Sequence, residues 1–317
     1  MTAGAAENTV DRDFSWGNMI MRTDIFLPEV LAGKSILVTG GGGGLGKEIA
    51  KALAARGALV HICGRRSNVL EAAVAEIGHG AQFHACDIRD ADAIDAMVAA
   101  IWAHGPLTGL INNAAANFIS PTKDLSPRGF RAVTSTVMDG SFYVTLAIGK
   151  RWIAEGLRGS VVSNLVTWVW SGSAFVVPSA MAKTALHAMT MSLAVEWGKY
   201  GIRLNATAPG PFPTESAWEK LNPLPDTTSS ATSFDTIPLG RFGAMQELQN
   251  LIIFLQSDGC DYLTGQTIAI DGGQHLAQPG TFADLSAMSD AQWQAARAAI
   301  LESTNRDKAN RDEANRA

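Results

Sequence analysis

Cysteine is scarce. Cys63, Cys86 and Cys260 are the only three in 317 residues. An odd count, widely spaced and without metal-ligand spacing, argues against a disulfide framework or a cysteine-built metal centre and fits a reducing cytosol. Charge is sparse as well: Asp, Glu, Lys and Arg make up 17% of the chain, and the formal net charge is −5. Such a chain lacks the basic face that phosphate backbones require, so no nucleic-acid partner is expected. No apolar run reaches the roughly 20 residues of a membrane-spanning helix. The opening "MTAGAAENTVDRDFSW" lacks the basic start and apolar stretch of a secretory signal. A soluble cytoplasmic protein is the expectation. Tyrosine is the remaining scarcity, with only Tyr143, Tyr200 and Tyr262 present.

Apolar residues, by contrast, make up 47% of the chain, enough for a sizeable core. They fall in a repeating order. "SILVTG" (35–40) is a short apolar run stopped by glycine, a buried strand. "GLGKEIAKALAARG" follows with helical spacing and stops at Gly57. "ALVHICG" and "AQFHACD" are further strands, "SNVLEAAVAEIG" a helix capped by Ser67, and "ADAIDAMVAAIWAHG" another helix before the strand "GLINNAA". A long helix over about 127–155, the strand "GSVVSNL", a second long helix over about 178–200 and the strand "IRLNATA" continue the alternation. A helix over about 244–256 and the strand "QTIAID" complete it. Strand–helix alternation with short connections gives a parallel sheet covered on both faces. The fold class predicted is α/β, a single Rossmann-type doubly wound sheet of about seven strands. Residues 1–33 read as an arm, 34–302 as the domain and 303–317 as a polar tail. The Pro-, Thr- and Ser-rich stretch 211–240 breaks the rhythm as a lid-like insertion.

"TGGGGGLG", Thr39 to Gly46, joins the first strand to the first helix. Glycines there let the backbone approach a pyrophosphate, and the helix N-terminus offers N–H donors. Its strand–turn–helix context makes Thr39, Gly40, Gly44, Leu45 and Gly46 candidate dinucleotide contacts. The second strand ends in "CGRR" instead of an acid that would take ribose hydroxyls. Arg65 and Arg66 suit a 2′-phosphate, which points to NADP(H). Asp87 and Ile88 end the third strand on the ligand-carrying edge, where Asp87 can accept from an adenine amine. Asp90 is the better helix cap.

These motifs, with "NNAA" (112–115), Lys183 and "PGP" (209–211), resemble the short-chain dehydrogenase/reductase family over about residues 30–275. "NNAAANFISP", "GSAFVVPSAMAK" and "AVEWGKYGIR" look closer still to the NADPH-dependent 2,4-dienoyl-CoA reductases. The resemblance implies that Asn113 and Ala114 lie along the cofactor, that Lys183 holds the nicotinamide ribose, and that Pro209, Gly210, Pro211 and Phe212 close over the ring. It also implies that Asn117 holds a thioester oxygen beside Ser179. Arg89, Phe118, Ser126 and Lys220 would meet a CoA-linked substrate. A homotetramer built on the two long helices is implied too, with no metal.

The chain departs from that pattern in two places. Ser179 stands where most of the family has tyrosine, as the dienoyl-CoA reductases do; but their tyrosine, eleven residues earlier, is here Trp168. Asp139 stands where the family usually has asparagine. A phenol beside a lysine delivers a proton, whereas an indole N–H donates a hydrogen bond without ionising. Trp168 can hold an oxygen or stack on a flat substrate but cannot be the acid. Asp139 reads either as a partner or relay for Lys183 or as a solvated, salt-bridged aspartate. His187 is expected to face a partner helix, and the other histidines show no metal spacing. Three functions stay open: reduction of a conjugated enoyl or dienoyl thioester or related enone, a carbonyl reductase or alcohol dehydrogenase, and an NADP-binding protein with weak or no catalysis.

Overall fold

The computed structural model describes residues 25–117, 119–213 and 236–277, together with 289, 291, 292 and 294. Phe118, Lys220, the tail 303–317, the first 24 residues of the arm and most of the lid-like insertion lie outside the described residues.

Seven strands form one sheet: β1 (Ser35–Thr39), β2 (Leu59–Gly64), β3 (Gln82–Ala85), β4 (Gly109–Asn112), β5 (Gly159–Asn164), β6 (Ile202–Pro209) and β7 (Thr267–Ile270). All pairs are parallel, in the order β3-β2-β1-β4-β5-β6-β7. The chain therefore winds outward from β1 in one direction and returns through β4 in the other. A crevice opens at the C-terminal ends of β1 and β4, where doubly wound sheets take ligands. Helices α1 (Gly44–Ala54), α2 (Ser67–Ile77) and α3 (Ala91–Trp102) follow the first three strands. Of three apolar cores among the described residues, two lie on opposite faces of the sheet. One packs Ile36, Val38 and Ile62 under α1 and α2; the other packs Leu37, Leu110 and Trp152 under α3 and its neighbours.

Asp90 caps α3 as its sequence position predicts, its carboxylate accepting from the N–H groups of Asp92 and Ala93. Ser67 does not cap α2. It is the first helical residue, and Arg66 holds the cap position in extended backbone without a side-chain bond. The predicted long helix is continuous but internally uneven. It runs as α4 (Pro127–Thr134), a π turn over Ser135–Asp139, and α5 (Gly140–Glu155). The hydroxyls of Thr134, Ser135 and Thr136 donate to the carbonyls of Phe130, Arg131 and Ala132, each four residues back. Three consecutive back-bonded hydroxyls loosen a helix, and π turns occur preferentially at functional sites. The short helix α6 (Trp168–Ser171) and the long α7 (Val177–Trp197) follow β5, and α8 (Met245–Gln256) precedes β7. Among the described residues no helix is long and apolar enough to cross a membrane.

His61 on β2 and His84 on β3 approach ring to ring, Nδ1 to Nε2 at 3.1 Å. His61 is 2% exposed. Burial, with the nearby charges of His84 and His104, pushes its pKa down to about 4. Burial lowers His84 as well. The unfolded chain binds protons that the fold refuses, so stability is lost as pH falls from the ordinary histidine value toward the depressed one. Urea unfolding should show His61 contributing a loss of roughly 3 kcal/mol between about pH 7 and about pH 4. His61→Asn should flatten that slope, and an unchanged slope would contradict the assignment.

Candidate active site

A chain of hydrogen bonds crosses the C-terminal ends of four strands. The Thr39 hydroxyl, fully buried at the end of β1, accepts from the N–H groups of Asn113 and Ala114, both at 3.0 Å, and donates to the Ile111 carbonyl. Asn113 donates through Nδ2 to the Thr39 carbonyl at 3.1 Å. Asn164, the last residue of β5, donates through Nδ2 to Asn113 Oδ1 at 3.0 Å. The Thr207 hydroxyl on β6 donates to Asn164 Oδ1 at 3.1 Å. Lys183 Nζ, reaching in from α7, donates to the carbonyls of Asn164 and Leu165 at 3.1 and 2.8 Å. Asn164 and Thr207 were not singled out from the sequence. The only signal for them is a polar residue near the C-terminal end of a buried strand.

Burial pushes the Lys183 ammonium down to about 8. Near neutrality it stays mostly protonated, and two of its three donors are used. Among the described residues no carboxylate lies within 4.0 Å of it. Asp139 instead faces Arg131 at 3.6 Å, which favours the salt-bridged reading of that residue. Ser179 is 2% exposed in the first turn of α7. Trp168 opens α6 half-buried, and its indole N–H has no acceptor among the described residues. Asn117, on the loop after β4, likewise makes no side-chain hydrogen bond among them. That loop is tied to the α6–α7 connection by the Ser120 N–H, which donates to the Phe175 carbonyl at 2.9 Å. Phe175 sits at φ 65°, a left-handed backbone that costs a bulky residue energy.

The glycine turn fits a pyrophosphate. A Cβ on Gly46 would lie 2.4 Å from Asn113 Nδ2, so the turn must close tightly there. At Gly43 a Cβ would meet nothing within 4 Å, so that glycine borders open space at the start of α1. No side chain caps this helix and no acid lies in its first turn, leaving its N–H donors and dipole for an anion. Gly40 turns at φ 68°, and Leu45 packs its side chain on the core below. Arg65 and Arg66 are exposed at the end of β2, with no ion pair among the described residues. Asp87 is gripped by Arg89, whose Nε and Nη2 donate to its two oxygens at 2.9 and 2.5 Å. That hydrogen-bonded guanidinium, with Arg65 nearby, holds the Asp87 carboxyl below its ordinary range. Ile88 is buried beside them.

Pro209 ends β6, the Gly210 N–H donates to the Ile270 carbonyl, and Phe212 is buried in the first core. Ser126 caps α4, accepting from the Gly129 N–H. The three tyrosines make no hydrogen bond with Lys183 among the described residues. Tyr262 is fully exposed, Tyr200 is an exposed residue beside Lys199, and Tyr143 packs against the second core. His187 does not look outward to a partner helix. Its Nδ1 meets the Thr267 hydroxyl at 2.8 Å, and Trp170 packs edge-on against its ring. No group of three or more potential metal-ligating side chains occurs among the described residues.

Comparison with known proteins agrees with this geometry. A family model described as enoyl-(acyl carrier protein) reductase matches residues 41–275. A probable 2,4-dienoyl-CoA reductase of Bacillus subtilis is 41% identical, over 77% of this chain and 97% of its own length. A probable 2,4-dienoyl-CoA reductase of Caenorhabditis elegans is 36% identical, over 92% and 96%. The crystal structure of a short chain dehydrogenase from Bacillus anthracis superposes with a TM-score of 0.70 at 40% identity, covering 78% of this chain and 98% of that one. The chain belongs to the short-chain dehydrogenase/reductase family. Within it, this is an oxidoreductase resembling the 2,4-dienoyl-CoA reductases, and the family implies a nicotinamide cofactor.

The hydrogen-bond chain is testable on its own. Thr207→Val keeps the shape but leaves Asn164 Oδ1 buried without its donor, which should cost about 1–3 kcal/mol in denaturant unfolding. Thr207→Ser should recover most of the loss; equal stability of all three proteins would show that the bond contributes nothing.

Proposed function

We propose that this protein is an NADPH-dependent reductase of conjugated enoyl or dienoyl thioesters, in which Trp168 stands where its relatives place the catalytic tyrosine. The observation that carries the reading is the spare donor of Lys183, whose ammonium is held on the strand-end floor by the Asn164 and Leu165 carbonyls. Thr39, the glycine turn, Asn113, Ala114, Lys183 and the 209–212 segment would hold the cofactor, which supplies hydride when bound. Arg65 and Arg66, without an ion pair among the described residues where an acid would select NAD, support NADP(H).

Hydride addition to a conjugated thioester places negative charge on the thioester oxygen. Asn117 and Ser179 would stabilise that charge as hydrogen-bond donors. The carbon must then be protonated. Trp168 offers a fixed N–H to an oxygen and a flat face to the substrate, but no transferable proton. Solvent protonates the enolate instead, and the missing acid lowers the rate by about 10²–10⁴-fold.

The family relationship also supports assembly with further copies, as a homotetramer. The outer face of α7 leaves Met181, Met191 and Val195 exposed, and α5 leaves Phe142 exposed. Burying such apolar faces is what copies of the same helix achieve by pairing.

Steady-state reduction of a 2,4-dienoyl-CoA should be slow but measurable with NADPH, and Trp168→Tyr should raise kcat by about 10²–10⁴-fold. NADPH binding with no turnover of dienoyl- or enoyl-CoA, in either protein, would sink the proposal. Turnover of ketones or secondary alcohols alone would replace it with a carbonyl reductase. Titration of Arg65→Ala and Arg66→Ala should weaken NADPH by roughly ten- to hundredfold and leave NADH nearly unchanged. Equal losses for both cofactors would remove the 2′-phosphate assignment.

A further inference from the structure

Beneath the strand-end floor, three side-chain atoms are buried without a hydrogen-bond partner: Asn112 Oδ1, Ser141 Oγ and Ser163 Oγ. Their residues are 2%, 0% and 1% exposed. The topology brings them together. Asn112 and Ser163 are register neighbours on β4 and β5, so their side chains leave the sheet on the same face. Asn112 Nδ2 donates to the Thr145 hydroxyl of α5 at 2.8 Å. Thr145 lies one helical turn from Ser141 and gives its own proton to the Ser141 carbonyl at 2.7 Å.

That last bond fixes the chemistry. Thr145 has one proton, and it is committed to a carbonyl, so Thr145 can only accept from Asn112. The amide must therefore turn Nδ2 toward Thr145, which leaves Oδ1 as a free acceptor. The site then offers one obligate acceptor and two hydroxyls that can donate or accept. It carries no charge, which disfavours an ion. Orphaned buried groups left dry are costly, and native folds rarely sustain several. A water molecule matches the set: it donates to Asn112 Oδ1 and uses its other proton and its lone pairs on the two hydroxyls.

We propose that Asn112, Ser141 and Ser163 bind one internal water between the C-terminal ends of β4 and β5 and helix α5. Asn112 immediately precedes Asn113, and Ser163 immediately precedes Asn164. The water thus braces from below the two residues that link the cofactor turn to Lys183. These are positioning residues, and the inference stands whatever the substrate proves to be.

The sign of one stability change separates a wet site from a dry one. With water bound, Ser163→Ala removes one of its three partners, and the thermal midpoint of the full-length protein should fall by a few degrees. In a dry site the same change deletes an unpaired buried hydroxyl, and the midpoint should hold or rise. Ser141→Ala should behave in the same direction, with a smaller fall because alanine favours the helix. A crystal structure resolving ordered solvent should show a peak about 2.7–3.2 Å from all three atoms. A midpoint that holds or rises in Ser163→Ala overturns the proposal. So does a crystal structure with no solvent peak, or with the hydroxyls turned to bond each other, and this measurement needs no variant to fold.

Discussion

The position of Asn164 governs the rest of the site. Its carbonyl holds the Lys183 ammonium, its Nδ2 holds Asn113, and its Oδ1 takes the Thr207 hydroxyl. One residue therefore ties three neighbouring elements to β5 at once: the loop after β4, strand β6 and helix α7. Such a network is worth having only when every member is paired, because a half-satisfied buried amide costs more than an apolar substitute. The sheet supplies that completeness. Four parallel strands end at nearly one level, and their last polar groups meet side by side. The placement of the Lys183 ammonium is a consequence of strand registry as much as of its own helix.

Against this fixed floor, the proposed exchange of tyrosine for Trp168 would change the kind of group present rather than the architecture. A phenol beside an ammonium is an acid with its pKa drawn toward neutrality. An indole in that role stays a neutral hydrogen-bond donor. Lys183 keeps its charge and its spare donor either way. What shifts is the division of labour between stabilising an oxygen, which fixed donors do well, and moving a proton to carbon, which they do not.

Much of this was legible in the sequence. The alternation of short apolar runs with amphipathic helices specified a parallel doubly wound sheet. The glycine turn was readable because glycine is needed where Gly46 closes against Asn113. Asp90 announced its helix cap. Less local facts stayed hidden. Ser67 looked like a cap, but the chain entered the helix one residue earlier. The π turn leaves no trace beyond three adjacent hydroxyl residues, and it directs Asp139 toward Arg131. His187 finds Thr267, some eighty positions away in the chain, which no periodicity reveals. Asn164 looked like an ordinary strand end because its importance lies in partners drawn from β4, β6 and α7.

The grip of the β5 carbonyls on Lys183 also decouples two surfaces of α7. The charge is anchored from the sheet side, at Asn164 and Leu165, while Met191 and Val195 look outward. The helix works as a wall with a bolt through it: the inner end is fastened to the floor, and the outer face is free to be refinished. Drift at the outer positions can remodel how this protein meets its neighbours while the ammonium stays in register with the strand ends. The exposed face and the anchored charge can then evolve on the same helix at separate rates.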